Sequence, residues 1–453
     1  MYRKLKTIFS SDNFGRSHLM FKNVFLSFFT KGGIAFIGIL MVPMMLQLLS
    51  KEEFGIWQTL SSILAWLYFL DIGLSNGFKN LFTQAIAQNE MDKANKFLST
   101  TYAILILSSL FFILVFELIN PFLNWGQILN FEFHSIPDFA IIIQFVFISF
   151  AFKLALSILN TALASNQQYS ASTVIELLTN IVVICFLFFL IRLQLPSLLL
   201  VAITSSITPI FLLLLASFYY FNFGSLKAFA PAWRNIDFSL TRSLFGKGIQ
   251  FFFIQIAFVL MFTANNIIVA QLFGPEQVAE LSVVNKYYSI PMMAFIIVLG
   301  PFWAGFTEAY YKNDIAWVQI TIKRLLLIWF LFLVLIWTMY WFFEPICMYW
   351  LGANFKASSR LVFYYAIFAS VVTFNNIFSY FLNGIGKIRV QLIGAVFLGI
   401  ISIPLSIYFC KLPYFEADGV LVANIVCLSL GLFLGPIQYY LIISKKAKGV
   451  WLK

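Results

Sequence analysis

Apolar residues along this chain come in long runs separated by short polar segments, not in the narrow stripe of an amphipathic surface helix. A helix needs about 20 apolar residues to cross roughly 30 Å of hydrocarbon. Twelve segments reach that length. The first six lie at roughly 22–49, 54–79, 97–120, 138–162, 170–191 and 195–222. The second six lie at roughly 245–273, 277–310, 318–343, 358–383, 390–411 and 417–443. Several carry proline well inside, at Pro43, Pro209, Pro291, Pro301, Pro404 and Pro436, where a kink is expected. The pattern predicts an all-α polytopic membrane protein with twelve transmembrane helices.

Cationic residues orient those spans. Of 29 Lys and Arg residues, 21 fall on the side that holds both termini and five on the other. That bias places both termini in the cytoplasm. The remaining three, Lys31, Lys153 and Lys286, fall inside spans. The polar segment 224–244 is the longest loop on the inner side and divides a first bundle, 1–223, from a second, 245–453.

Composition agrees with the pattern and excludes other classes. The chain of 453 residues is 61% hydrophobic and 10% charged, whereas a soluble domain carries about 25% charged residues. A soluble globule, a disordered chain and a nucleic-acid binder are excluded, the last despite a net charge of +11, because the cations serve topology. Cys185, Cys347, Cys410 and Cys427 form no CxxC pair, and His18 and His134 lie far apart. No metal site, catalytic triad or cofactor is expected from them. No cleavable signal peptide is expected at the mixed, polar start.

The chain also repeats itself. At a shift of 224 residues, Leu48, Leu49 and Glu52 fall on Leu272, Phe273 and Glu276. At the same shift Phe82, Thr83, Ala85 and Asn89 fall on Phe306, Thr307, Ala309 and Asn313, with Glu90 on Asp314. At a shift of 223, Leu159-Asn160 and Gln168 fall on Leu382-Asn383 and Gln391. A repeat that holds six spans enters the membrane twice from the same side. It predicts two six-helix bundles related by a parallel pseudo-two-fold axis, with a cleft between them and alternating access.

Charges inside spans are costly and usually paired or functional. Lys31 and Asp71 reach similar depths in spans one and two, and Lys153 and Glu176 flank the turn between spans four and five. They read either as two buried ion pairs or as the ion-lined inner half of the cleft, with Asp71 and Glu176 carrying a coupling ion or balancing charge. Lys286 lies about 15 Å from the outer end of span eight, near the midplane. Glu280 and Glu308, the acids of its span, lie nearer the ends, and the depth exceeds the reach of a snorkelling lysine. An anion site at Lys286 is the expectation. Amides recur at inward depths as Asn76, Asn265-Asn266 and Asn375-Asn376. Buried amides need partners, and both helix–helix hydrogen bonds and sugar contacts would supply them.

Three segments carry a resemblance. Leu48-Leu49-Ser50-Lys51-Glu52-Glu53-Phe54-Gly55-Ile56-Trp57 resembles the first hairpin of polysaccharide-repeat-unit flippases of the multidrug/oligosaccharidyl-lipid/polysaccharide exporter superfamily. Asp71-Ile72-Gly73-Leu74-Ser75-Asn76-Gly77 is similar to that family's second-helix pattern, and Leu382-Asn383-Gly384-Ile385-Gly386-Lys387 to its end of span ten. The resemblance implies a MATE-like fold in a bacterial cytoplasmic membrane. It implies transport of an undecaprenyl-pyrophosphate-linked oligosaccharide by alternating access, for O-antigen, capsule or exopolysaccharide synthesis. Its implied partners are that polyprenyl-pyrophosphate-linked glycan, membrane lipid, a glycan polymerase and chain-length regulator, and a coupling proton or sodium ion. Lys286, Lys31 and Lys153 are the positions that would hold the pyrophosphate or anionic sugars.

Other classes fit less of the sequence. A cation-coupled drug antiporter of the same superfamily needs a compact acidic pocket. A major facilitator needs a Gly/Asp/Arg-rich loop where this chain reads Gln88-Asn89-Glu90-Met91-Asp92-Lys93. A polysaccharide polymerase or acyltransferase needs a large external loop with clustered His, Asp or Arg, and the outer loops here are short. No enzyme activity is expected.

Overall fold

A computed structural model describes residues 11–67, 73–132, 136, 138–166, 168–245, 263–352 and 355–452. The described residues are helical with no strand. In chain order the helices are α1 (Ser11–Leu48), α2 (Lys51–Leu67), α3 (Leu74–Ala87), α4 (Met91–Ile119), α5 (Trp125–Leu129), α6 (Phe139–Leu156), α7 (Ile158–Ser165), α8 (Tyr169–Arg192) and α9 (Leu198–Asn222). A helical stretch over 263–273 precedes α10 (Pro275–Tyr311). Then follow α11 (Ile315–Trp341), α12 (Phe343–Leu351), α13 (Ser359–Gly384), α14 (Arg389–Cys410) and α15 (Gly419–Ile443). Ten of the described helical segments are long and apolar enough to cross a membrane. This is an all-helical, multi-pass membrane protein.

The other two expected spans are 54–79 and 245–273. Most of the second lies outside the described residues. The first is not one helix: α2 ends at Leu67 and α3 begins at Leu74 behind Gly73, whose φ of 70° no α-helix accommodates. Glycine is the residue that adopts this conformation without strain, so the break is written at Gly73.

The chain forms two compact units. The first comprises residues 1–48, 68–123 and 138–252, and the second 49–67, 124–137 and 253–453. In the first unit α1 packs along α8. Their contacts advance together: the Thr30 hydroxyl donates to Thr173 at 2.8 Å, and a Cβ added at Gly33 would meet the Leu177 side chain at 3.1 Å. The two helices therefore run parallel, as spans one and five must. The segment 223–244 is latched to α4 instead of hanging free. Asn95 donates to Ala230 O at 3.2 Å and accepts from the Asn235 amide at 2.8 Å, while the amide of Asp237 donates to Thr100 Oγ1 at 2.9 Å. The Ser239 amide and hydroxyl donate to the Asp237 carboxylate and hold its pKa below the usual range.

In the second unit α10 packs against α2, α11 and α13, and α15 packs against α13 and α14. Without a hydrophobic drive in lipid, such contacts rest on close van der Waals fit. The fit is aromatic on one side of α10. The Tyr287 hydroxyl donates to Met339 O at 2.9 Å and its ring meets Phe343 edge-on, while Tyr288 stacks on Tyr365. Further along, Phe306 meets Phe381 edge-on at 5.4 Å.

The internal repeat is written into the backbone. The turn after α3 places Asn89 at φ 57°, with its amide bonded to Ile86 O and the next amide, of Glu90, to Ala85 O. The turn after α10 places Asn313 at φ 57°, with its amide bonded to Tyr310 O and that of Asp314 to Ala309 O. Every one of these positions is related by 224. Asparagine suits both because its short side chain tolerates the left-handed region that ends a helix. The 223-residue pairing of Leu159 with Leu382 does not match the backbone in the same way. The bond from the Gln168 amide to Leu163 O recurs as Lys387 to Leu382 O, so Leu382 corresponds to Leu163, four residues and about one helical turn away. A slip of one turn keeps the same face of an apolar helix, which is why the sequence match misses it.

Candidate functional site

The anticipated cations fall on separate helices. Lys31 lies on α1, exposed, with its ammonium 5.3 Å from the centroid of the Tyr169 ring at the start of α8. Asp71, its expected partner, is outside the described residues, as is the side chain of Asn76. Lys153 is half-buried on α6 and Glu176 exposed on α8. These two do not pair. α9 packs against both α6 and α8 and keeps the two helices from sharing a face. The ion-pair reading of Lys153 and Glu176 is therefore corrected: sequence proximity across a turn did not become contact.

Lys286 sits eleven residues into α10, about 16 Å along its axis from Pro275. It is half-buried, beside the buried Tyr287–Tyr288 edge that faces α11 and α13. Among the described residues no carboxylate lies within ion-pair distance of it. The acid nearest in sequence, Glu280, is engaged elsewhere: it accepts a 2.6 Å salt bridge from Lys51, whose ammonium also lies 5.8 Å from the Phe355 ring. Lys51 comes from the first half of the sequence, yet its helix α2 belongs to the second unit.

That contact is built tightly. Ser50 and Glu53 form a reciprocal capping box at the start of α2: the Ser50 amide donates to Glu53 Oε2 at 2.8 Å and the Glu53 amide to Ser50 Oγ at 3.1 Å. One turn on, a Cβ added to Gly55 would lie 1.7 Å from Pro275 O. Only glycine allows the backbones to meet there. Deeper, the Asn266 amide donates to Ser62 Oγ on α2 at 2.8 Å, and Asn265 is buried beside it. Asn266 thus serves as a helix–helix hydrogen bond.

Asn375 and Asn376 belong to a different place. They line a cavity of about 470 Å³ between α13, α14 and α15, together with Ser379, Asn383, Gln391 and Gln438. The Asn375 amide donates to Leu428 O on α15 at 2.8 Å. The sequence reading missed Ser379, although it continues the four-residue spacing from Asn375 to Asn383, and it missed Gln391 and Gln438, which are single amides on other helices. It missed the Lys51–Glu280 bridge because its partners are 229 residues apart. Outside the spans, burial lifts the Cys347 thiol to about 11, so it is protonated at neutral pH and no reactive nucleophile. Among the described residues no group of His, Cys, Asp and Glu is placed to hold a metal.

Comparison with known proteins places this geometry. Residues 20–302 match the family described as polysaccharide biosynthesis protein. No curated protein sequence matches the chain. Among solved structures, an inward-facing multidrug resistance MATE family transporter of the MOP superfamily is similar with a TM-score of 0.75 and 12% identity, over 91% of this chain and 96% of its own. The MATE multidrug transporter DinF-BH is similar with a TM-score of 0.67 and 16% identity, over 93% of this chain and 95% of its own. A MOP superfamily transporter from Pyrococcus furiosus, described as having a binding pocket of reverse polarity, has a TM-score of 0.60 and 12% identity, over 95% of this chain and 96% of its own. Such identities speak to the fold alone, but the family match covers well over half of the chain: it belongs to the polysaccharide biosynthesis protein family, and its helices take the fold of the MOP-superfamily transporters.

Proposed function

We propose that this protein moves a polyprenyl-pyrophosphate-linked oligosaccharide across a bacterial cytoplasmic membrane by alternating access, with both termini in the cytoplasm. The single observation that carries the reading is Lys286. A half-buried cation eleven residues into α10, with no carboxylate in reach among the described residues, suits an anionic ligand. Glu280, the nearest acid in sequence, lies six residues away on another face of α10 and is bridged to Lys51. The match to the polysaccharide biosynthesis protein family supports a glycan-containing substrate.

In this reading Lys286 holds the pyrophosphate, and Lys31 and Lys153 add positive potential in the first unit. Pairing a diphosphate with a lysine at membrane depth offsets the cost of burying both charges. Asp71 and Glu176 remain the groups for charge balance or a coupling ion, and a polymerase and chain-length regulator would take the product onward.

The second reading is a cation-coupled drug antiporter, favoured by the multidrug transporters among the structural relatives. A cationic drug needs a buried acid, and the nearest acid to Lys286 in sequence is already paired.

Replacing Lys286 by Ala in the native host tests the proposal. The expected outcome is loss of surface glycan at unchanged membrane levels of the protein, with partial recovery in Lys286→Arg. Normal surface glycan in Lys286→Ala would sink the assignment.

A further inference from the structure

The cavity between α13, α14 and α15 carries five amides and one hydroxyl set among apolar residues such as Phe378, Leu382 and Leu434, and no Asp, Glu, Lys, Arg or His. α13 and α14 each pack along α15. The cavity is thus a groove between α13 and α14 with α15 as its floor. Its polar groups are ordered: Asn375, Ser379 and Asn383 recur every four residues and form one stripe of α13. Gln391 faces them from α14 and Gln438 from α15. Gln438 is 1% exposed and fixed, its amide donating to Lys387 O and Trp451 O.

This lining selects its ligand by chemistry. An anion would find no cation there, and a cation no carboxylate. An apolar tail would match the leucines and Phe378 but leave the free polar groups of the stripe without partners. A hydroxyl-rich, uncharged molecule matches it, because amides both donate and accept. Asn375 ties α13 to this floor, its Nδ2 donating to Leu428 O while its Oδ1 is buried without a hydrogen-bond partner. The groove is also held open. A Cβ added to Gly394 on α14 would meet nothing within 4 Å, whereas one at Gly431 on the floor would press to 2.7 Å from Asn375 Nδ2. The first glycine leaves space in the groove and the second lets α13 approach α15.

We propose that this groove binds the uncharged saccharide portion of the substrate, apart from the Lys286 anion site. The proposal rests on the glycan reading above. Sugar hydroxyls drawn to membrane depth lose their water, and an amide-lined groove replaces those hydrogen bonds. Asn375 lies nine residues before the Gly384 end of α13, about 13 Å, so the groove reaches well into the span.

Equilibrium binding to the full chain in lipid nanodiscs tests this with two probes, undecaprenyl pyrophosphate alone and the same lipid carrying a neutral trisaccharide. The wild-type protein is expected to bind the glycosylated lipid about tenfold more tightly, as two or three added hydrogen bonds would give. Gly394→Leu fills the groove without a backbone clash, and Asn376→Leu removes an amide. Each is expected to abolish that preference while binding the bare lipid as the wild type does. Lys286→Ala is expected to weaken both probes alike. Retention of the tenfold preference in Gly394→Leu overturns the groove assignment, as does a wild-type protein without any preference. Loss of the preference in Gly394→Leu, with Lys286→Ala unchanged on both probes, upholds the groove and removes the anion site. A wild-type protein that binds neither lipid overturns both.

Discussion

Two ends of the second unit are built on opposite principles. Where α2 meets α10 the helices touch backbone to backbone at Gly55 and Pro275, the helix start is capped reciprocally, and Lys51 and Glu280 neutralise each other. Where α13 and α14 diverge over α15, a cavity of about 470 Å³ remains and a buried acceptor is left without a partner. Polar groups at the first end are spent on structure, whereas at the second Asn375 and Gln438 are only partly so, and Asn375 Oδ1 has no partner. Native membrane helices rarely leave buried polar groups idle, so the surplus is where a ligand is to be sought.

The contrast predicts unequal responses to substitution. Gly55→Val gives the largest: the added carbons meet backbone, which cannot swing aside, and a loss of about 3 kcal/mol is expected in thermal unfolding of the detergent-solubilised protein. Wild-type stability in that variant would show that the contact is not close. The Lys51–Glu280 bridge comes next. Glu280 is the more buried partner, and a double-mutant cycle with Lys51→Met and Glu280→Gln should return a coupling of about 1 kcal/mol. A coupling near zero would make the bridge incidental. The smallest effect falls in the groove. Asn375→Leu trades one satisfied and one orphaned amide group for an apolar side chain, and less than about 1 kcal/mol of stability should change. A loss as large as that of Gly55→Val would make the groove a structural core and erase the contrast.

The helices were readable because long apolar runs state their own length, and the repeat because Asn89 and Asn313 end two helices with the same left-handed turn. Other features were hidden for identifiable reasons. The break before α3 depends on one backbone angle at Gly73, and apolar residues on both sides disguise it as a continuous span. The pairing of Lys153 with Glu176 looked plausible from depth along the chain, but depth says nothing about which helix stands between. The groove needed three helices at once: its amides lie at 375–383, 391 and 438, and only packing on α15 assembles them. The singularity of Lys286 was visible in sequence as a lysine without a matched acid. The structure adds that Glu280, the nearest acid in sequence, is bridged to Lys51 from α2.

The most direct test of the central assignment is transport in vesicles of defined lipid. The protein is reconstituted with a polyprenyl-pyrophosphate-linked oligosaccharide, and the fraction of glycan reaching the opposite leaflet is followed by its accessibility to a glycosidase added outside. Glycan should become accessible with the wild-type protein and with Lys286→Arg at reduced rate, and stay at the protein-free background with Lys286→Ala. Equal rates for the wild type and Lys286→Ala would contradict the account.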